Sequence, residues 1–390
     1  MPSRLERILI VNPFGIGDVL FSTPLIRAIR RTFPAAYLAY LCNRRTEEIL
    51  RRNPHLDELF VYEKDELVTA WERNRPAAIG AVLHLLGRIR RRRFDIVIDL
   101  SLGERYSFLL AALGVRRRVG FDFRRRGRFL THRFVMDGYE ERHVVTYLVT
   151  LLDGIGIRLL DQTFELNLLG QDRDDVAGWV RTLGLRDGQR LIGLVPAGGI
   201  SWGLQANFRR WSKEGFIQVG RALSERYDAA IVIFGEPKDD QVCDEIARAI
   251  GPRAVDMSGK TSMGQFVGLI GRCDLVISND GGPVHIAASQ RVPTVSIFGP
   301  VDPSVYGPHP RTAEYETVYN AELPCRPCYH QFKLPPCPYD RACLSTIEPE
   351  EVLSVCRRLL EGRQGTSPVL PGGSAAAEKS EVGSWKLDVG

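Results

Sequence analysis

The sequence predicts an α/β protein built from two doubly wound, Rossmann-like domains, and three features carry that expectation. Short β-branched runs alternate with stretches of helical period, the alternation lapses once near residue 165 and restarts near 189, and glycine-rich turns follow several strands directly. In the first half, strands are expected at 7–11, 36–41, 59–62, 94–100 and 117–121, with helices at 19–32 and 106–113 between them. The pattern loosens over 161–170, and a short helix at 172–183 leads to the turn pair Asp187-Gly188. Strands return at 191–195, 229–234, 254–257, 274–278 and 294–298, separated by helices at 213–226, 239–250 and 263–271. These limits give a first domain at 1–165, a linker region at 166–188 and a second domain at 189–347. A C-terminal helix follows at 348–362, and the Gly-, Ser-, Ala- and Pro-rich residues 363–390 read as a disordered tail.

The 390 residues suit two well-packed cores. Residues 1–6 lead straight into a strand, and no apolar run approaches the ~18 residues of a membrane span, so a cytoplasmic protein is expected. The net charge of +5 is uneven: residues 1–165 hold 28 Lys plus Arg against 20 Asp plus Glu. Arginine runs at 90–93, 116–118 and 124–126 could meet a phosphorylated acceptor or the anionic inner face of a membrane. A general arginine bias of the chain explains them equally well. No aromatic-interleaved module or zinc-finger spacing accompanies them, so nucleic acid is not an expected partner.

Two junctions between strand and helix carry the chemistry. SNDGGPVHIAA (278–288) turns from a strand into a helix whose first N–H groups lack intrahelical partners, a natural anion cradle at Asp280, Gly281 and Gly282, with His285 one turn in. NPFGIGDVLFSTP (12–24) makes the matching turn after the first strand and carries Asp18 beside Gly17. The spacing of Gly15 and Gly17 matches a dinucleotide fingerprint, but Leu20 stands where its third glycine belongs. Asp18 can serve simply as a helix-start acid; its place at the carboxyl end of the first strand, where open α/β sheets present ligands, favours a reactive role.

Together with FGPVDP (298–303), FDIVIDL (94–100), LLAALGVRRRVGFD (109–122), VPAGG (195–199), RRW (209–211) and the cysteine segment from CRPC (325–328) to ACL (342–344), these motifs resemble glycosyltransferase family 9, the heptosyltransferases of lipopolysaccharide core assembly. The resemblance spans roughly residues 5–360. It implies a GT-B architecture, two Rossmann-like domains facing across a cleft, with the C-terminal helix crossing back onto the first domain. It implies an inverting, metal-independent transfer of a heptose or related sugar from an ADP-sugar to a lipopolysaccharide-core-type or other glycan or glycolipid acceptor, at the cytoplasmic face of the inner membrane. No cofactor is required in that chemistry. Asp18 would be the base; Gly17, Gly198, Gly199, Ser201, Arg209, Arg210, Asp280, Gly281, Gly282 and His285 would hold the donor, His285 and an arginine neutralising its diphosphate. Glu236 or Asp239 would accept from ribose hydroxyls. Two departures bear on donor choice: Gly281 stands where relatives carry Ser or Thr, and Arg209-Arg210 where many carry Lys.

Cys325, Cys328, Cys337 and Cys343 form a C-x2-C-x8-C-x5-C loop able to hold a structural zinc or iron, or to pack as reduced thiols. The rival readings are a relative using another nucleotide sugar or a different acceptor, a catalytically silent sugar-nucleotide-binding module, and an iron–sulfur redox protein built on the four cysteines.

Overall fold

The structure, a computed structural model, describes residues 6–186, 188–198 and 200–362; the expected tail at 363–390, Gly199 and the side chain of Ser201 lie outside it. Two six-stranded parallel sheets form. The first holds β1 (Arg7–Val11), β2 (Tyr37–Cys42), β3 (Glu58–Val61), β4 (Ile96–Asp99), β5 (Arg117–Phe123) and β6 (His132–Met136), in the order β3-β2-β1-β4-β5-β6. The second holds β7 (Leu191–Val195), β8 (Ala230–Ile233), β9 (Ala254–Asp256), β10 (Leu275–Asn279), β11 (Thr294–Ile297) and β12 (Tyr315–Val318), in the order β12-β11-β10-β7-β8-β9. Strand order reverses between β1 and β4 in one sheet and between β7 and β10 in the other, so each has one switch point where loops diverge and a ligand crevice opens.

Both switch points coincide with the motifs. Asn12 to Asp18 leave β1, and Asp280 to His285 leave β10. The first helix is broken in two, Ile16–Phe21 and Thr23–Thr32, where one continuous helix is expected. Pro24 has no N–H to continue the ladder, and the Ser22 hydroxyl donates to the Val19 carbonyl at the break.

One apolar cluster runs through both domains, from Ile8, Ile10 and Leu25 to Phe234, Val276 and Ile286, so the inner faces of the sheets share a core. The outer face of the first sheet is closed by Ile89, Leu110 and Val115, and that of the second by helices Lys213–Tyr227 and Pro349–Glu361. The last of these corrects an expectation. Helix Pro349–Glu361 does not cross back; Val352, Val355 and Cys356 bury it on the second sheet among Leu194, Phe216 and Ile277. Among the described residues, no helix is long and apolar enough to cross a membrane.

Candidate active site

The turn after β1 is fixed by its own polar groups. Asn12 donates from Nδ2 to the Asp18 carbonyl at 3.1 Å and accepts from the Phe14 N–H, while Asn43 donates to the carbonyls of Pro13 and Phe14. Asp18 falls in the first turn of helix Ile16–Phe21 and takes the Gly15 N–H at 3.3 Å, the local role a helix-start acid plays. That bond does not exhaust its chemistry. Burial raises the Asp18 carboxyl to about 6, against the pull of the Gly15 N–H and the Arg209 charge.

Across the gap, the second domain assembles its motifs around Asn279. This buried side chain donates to the Pro196 carbonyl at 2.7 Å and accepts the Trp211 N–H at 2.9 Å, joining the turn after β7, the Arg209-Arg210 segment and the turn after β10. Arg209 pairs with buried Asp280, Nε to Oδ2 at 2.9 Å; burial pushes the Asp280 carboxyl up and Arg209 opposes the rise. Arg210 donates to the Gly198 carbonyl at 3.1 Å and to Asp239 at 3.2 Å. Gly198 has φ +113, a conformation open to glycine at little cost.

The two turns meet directly. A Cβ on Gly17 would lie 3.1 Å from His285 Cδ2, and one on Gly282 would lie 2.9 Å from Ile16 Cγ2, so both glycines permit close approach of the domains. The His285 ring stands edge-on to Phe21, with centroids 4.6 Å apart. Burial drives the His285 pKa down to about 3, reinforced by His143, Arg209 and His309, and its Nδ1 is buried without a partner. Burial and the neighbouring cations thus favour the neutral imidazole while no anion lies beside it. It can donate an N–H beside the Arg209 and Arg210 guanidinium groups.

Asp239 is also accounted for structurally. It is buried, accepts the Glu236 N–H at 3.2 Å and holds Arg210, whereas Glu236 is exposed at the strand end. Of the two acids expected to read a ribose, Glu236 is the accessible one. Sequence reasoning missed the aromatic surround of Asp18: the negative charge of Asp18 raises the phenol pKa of Tyr139, Tyr306 and Tyr329, in each case after burial as the larger cause. These tyrosines come from three remote segments, and no local pattern marks them. Tyr329 follows Cys328 and stacks on Trp202 at 4.7 Å, and Arg209 Cζ lies 4.7 Å from the Trp202 ring centre.

The cysteine loop brings its four thiols near one another: the charges of Cys325 and Cys337 act on Cys328, and those of all three act on Cys343. Among the described residues no three His, Cys, Asp or Glu side chains are placed to share an ion, and Cys325, Cys328, Cys337 and Cys343 stand as free thiols. Cys343 is turned into the apolar core, where burial pushes its thiol up to about 11, and burial also raises Cys328. The loop also pins Tyr329 and Phe332 toward the cleft: the Cys328 and Tyr329 N–H groups bond the Pro300 carbonyl, and Phe332 meets Phe123 and Tyr139 of the first domain.

Comparison with known proteins places this geometry. A family model described as glycosyltransferase family 9 (heptosyltransferase) matches residues 82–337. Lipooligosaccharide heptosyltransferase 2 of Campylobacter jejuni is 25% identical over 369 residues, covering 91% of this chain and 98% of that protein. Lipopolysaccharide heptosyltransferase 3 of Escherichia coli is 25% identical over 351 residues, covering 88% and 95%. Among solved structures, a family 9 glycosyl transferase from Veillonella parvula superposes with a TM-score of 0.76 at 24% identity, over 93% of this chain and 99% of the other. ADP-heptose lps heptosyltransferase II of E. coli gives 0.71 at 21%, over 92% and 100%. At these identities the solved structures speak for the fold alone.

Proposed function

The chain belongs to glycosyltransferase family 9 (heptosyltransferase), and we propose that it transfers a heptose or related sugar from an ADP-sugar to a lipopolysaccharide-core-type or other glycan acceptor, inverting the anomeric centre. In this reading Asp18 takes the proton of the acceptor hydroxyl as that oxygen attacks the anomeric carbon. The bond from that carbon to the diphosphate breaks, and the nucleoside diphosphate leaves with the electron pair. A base whose pKa lies near 6 is ionised at neutral pH and still basic enough to accept a proton.

The leaving diphosphate would lie at the N-terminus of helix Gly282–Ser289, on the backbone N–H groups of Gly281 and Gly282. Arg209, oriented by Asp280, and Arg210, oriented by Asp239 and the Gly198 carbonyl, would supply the positive charge, and His285 one further N–H. Those charges and dipoles can stabilise the departing group without a divalent ion. Exposed Glu236 would accept from the ribose, and Gly17, Gly198, Gly199 and Ser201 would border the donor. The protein would work on the cytoplasmic side of the inner membrane, meeting a glycolipid acceptor there.

The observation that carries this reading is the meeting of the two turns. The 3.1 Å approach of a Gly17 Cβ position to His285, with the Arg209 charge acting on Asp18, puts an acid and an anion cradle in one interdomain gap. The test is a panel of ADP, UDP, GDP and CMP read by thermal unfolding, followed by turnover of the matching sugar nucleotide. ADP at about 100 times its Kd should stabilise the fold by about 2.7 kcal/mol, and the others far less. Stabilisation by UDP or GDP instead would favour a relative with a different donor, which Gly281 and the Arg209-Arg210 pair make the specific alternative. Binding without turnover would favour a silent module.

A further inference from the structure

A broad groove lies away from the cleft, at the opposite end of the first sheet. Its volume is ≈ 960 Å³, and Arg90, Arg91, Arg93, Arg116 and Arg117 line it. Two of the three arginine runs of the sequence thus converge in space. Among the described residues none of these five has a carboxylate in ion-pair range, although neighbouring Arg88 and Arg92 both pair with Glu58. The one acid on the groove, Asp95, is occupied by the backbone N–H groups of Glu6 and Arg7 at 3.0 and 2.9 Å. The whole length of β1, roughly 13 Å of strand, separates this edge from the turn that carries Asp18.

Local causes account for part of the cluster only. Arg90 and Arg91 lie in the last turn of helix Arg75–Arg92, where the macrodipole favours cations. Arg116 and Arg117 come from another element, at the start of β5, and gain nothing from that helix end. Five unpaired guanidinium groups around one groove repel one another, and an anion relieves that repulsion.

The apolar surface beside the groove indicates what kind of anion. Helix Arg75–Arg92 continues away from the arginines with Leu83 62% and Ile79 46% exposed, and Trp71 on the adjoining helix Lys64–Arg73 is 47% exposed. Phe108, on helix Glu104–Ala112 of the same outer layer, is 50% exposed. A phosphate-bearing nucleic acid would gain little from Leu83 and Ile79, whereas a lipid surface takes both the cations and the apolar side chains.

We propose that this groove and the apolar band beside it form a docking surface for an anionic phospholipid membrane, its arginines gripping headgroup phosphates. The proposal is independent of sugar transfer, since docking needs no donor. The full chain should sediment with vesicles of phosphatidylcholine and phosphatidylglycerol and stay in solution with phosphatidylcholine alone. Binding should vanish in about 1 M salt, where the screening length falls to about 3 Å. Arg116→Gln with Arg117→Gln should weaken binding about 25-fold, roughly fivefold per arginine, and Arg90→Gln with Arg91→Gln should do the same from the other wall. Arg272→Gln with Arg291→Gln removes equal charge from the second domain and should change binding by no more than about twofold. Leu83→Ser should weaken binding with the salt dependence kept. Equal losses from the groove and the second-domain pairs would overturn the proposal, as would equal binding to both vesicles. So would arginine-dependent binding of a single-stranded RNA without vesicle binding. Unchanged circular dichroism of the variants excludes unfolding as the cause of any loss.

Discussion

Asp18 is asked to do two things at once, and the conflict has measurable consequences. As a helix-start acid it would be most stable fully charged, yet burial holds its carboxyl at about 6 against a usual 3.8. The folded chain therefore binds more protons than the unfolded one between about pH 4 and 6, and this group makes stability fall as pH rises through that window. Asp18→Asn keeps an oxygen for the Gly15 N–H and removes the titration. The variant should be more stable than the wild type at pH 8, by at most about 3 kcal/mol less what solvent screening of the half-buried group removes, with the difference closing below about pH 4. Urea unfolding at the two pH values checks this; equal stabilities at pH 8 would refute it. Activity should run the other way. With a base that must be ionised, kcat should rise through about pH 6 and level off above it, and a rate independent of pH from 5 to 7 would contradict the assignment.

At the scale of elements, the short helices Ile16–Phe21 and Gly282–Ser289 touch end to end through positions that tolerate no side chain. A methyl on Gly282 would meet Ile16 Cγ2 at 2.9 Å and Cβ at 3.0 Å. Gly282→Ala should cost about 1–3 kcal/mol and lower kcat, with Ile16→Ala restoring part of both by removing the closer contact. A Gly282→Ala protein of wild-type stability and rate would show that the contact is not made. The sequence announced a glycine turn here but attributed the missing side chain to a ligand, because the partner, Ile16, is 266 positions away in the chain. Local signals also left two edge strands unseen. β6, HRFVM, is mostly exposed, and β12, YETV, is half-buried, so neither shows the buried β-branched run that marked the central strands. The long helix Arg75–Arg92 was missed for a related reason: of its 18 residues only Ala78 and Ile89 are buried, which leaves a weak apolar stripe.

The whole molecule is held in register by contacts that no motif records. Arg52 of the first domain forms a bidentate pair with Asp172, Nε to Oδ2 at 3.0 Å and Nη2 to Oδ1 at 2.9 Å. Asp172 also starts helix Gly170–Thr182, which packs on helix Met263–Ile270 of the second domain. Gly264 is a glycine because a Cβ there would fall 1.9 Å from Asp172 Oδ1. Removing one partner of a buried pair typically costs about 3–5 kcal/mol, so Asp172→Ala should lower the urea midpoint and, in scattering measurements, enlarge the radius of gyration as the domains part. An unchanged radius would mean that the shared apolar core alone fixes their spacing. At this scale the sequence was legible in outline: alternation announced two parallel sheets, and each key motif fell at a switch point. It could not show which acids are consumed by structure, as Asp239 is by Glu236 N–H and Arg210, or that the C-terminal helix stays on its own sheet, since both depend on packing between distant segments. The most direct test of the proposed chemistry is the steady-state rate of Asp18→Asn with ADP-sugar and acceptor, measured beside its stabilisation by ADP. The proposed base predicts a kcat lower by about 100-fold or more with ADP stabilisation intact. A kcat within about tenfold of the wild type would contradict it.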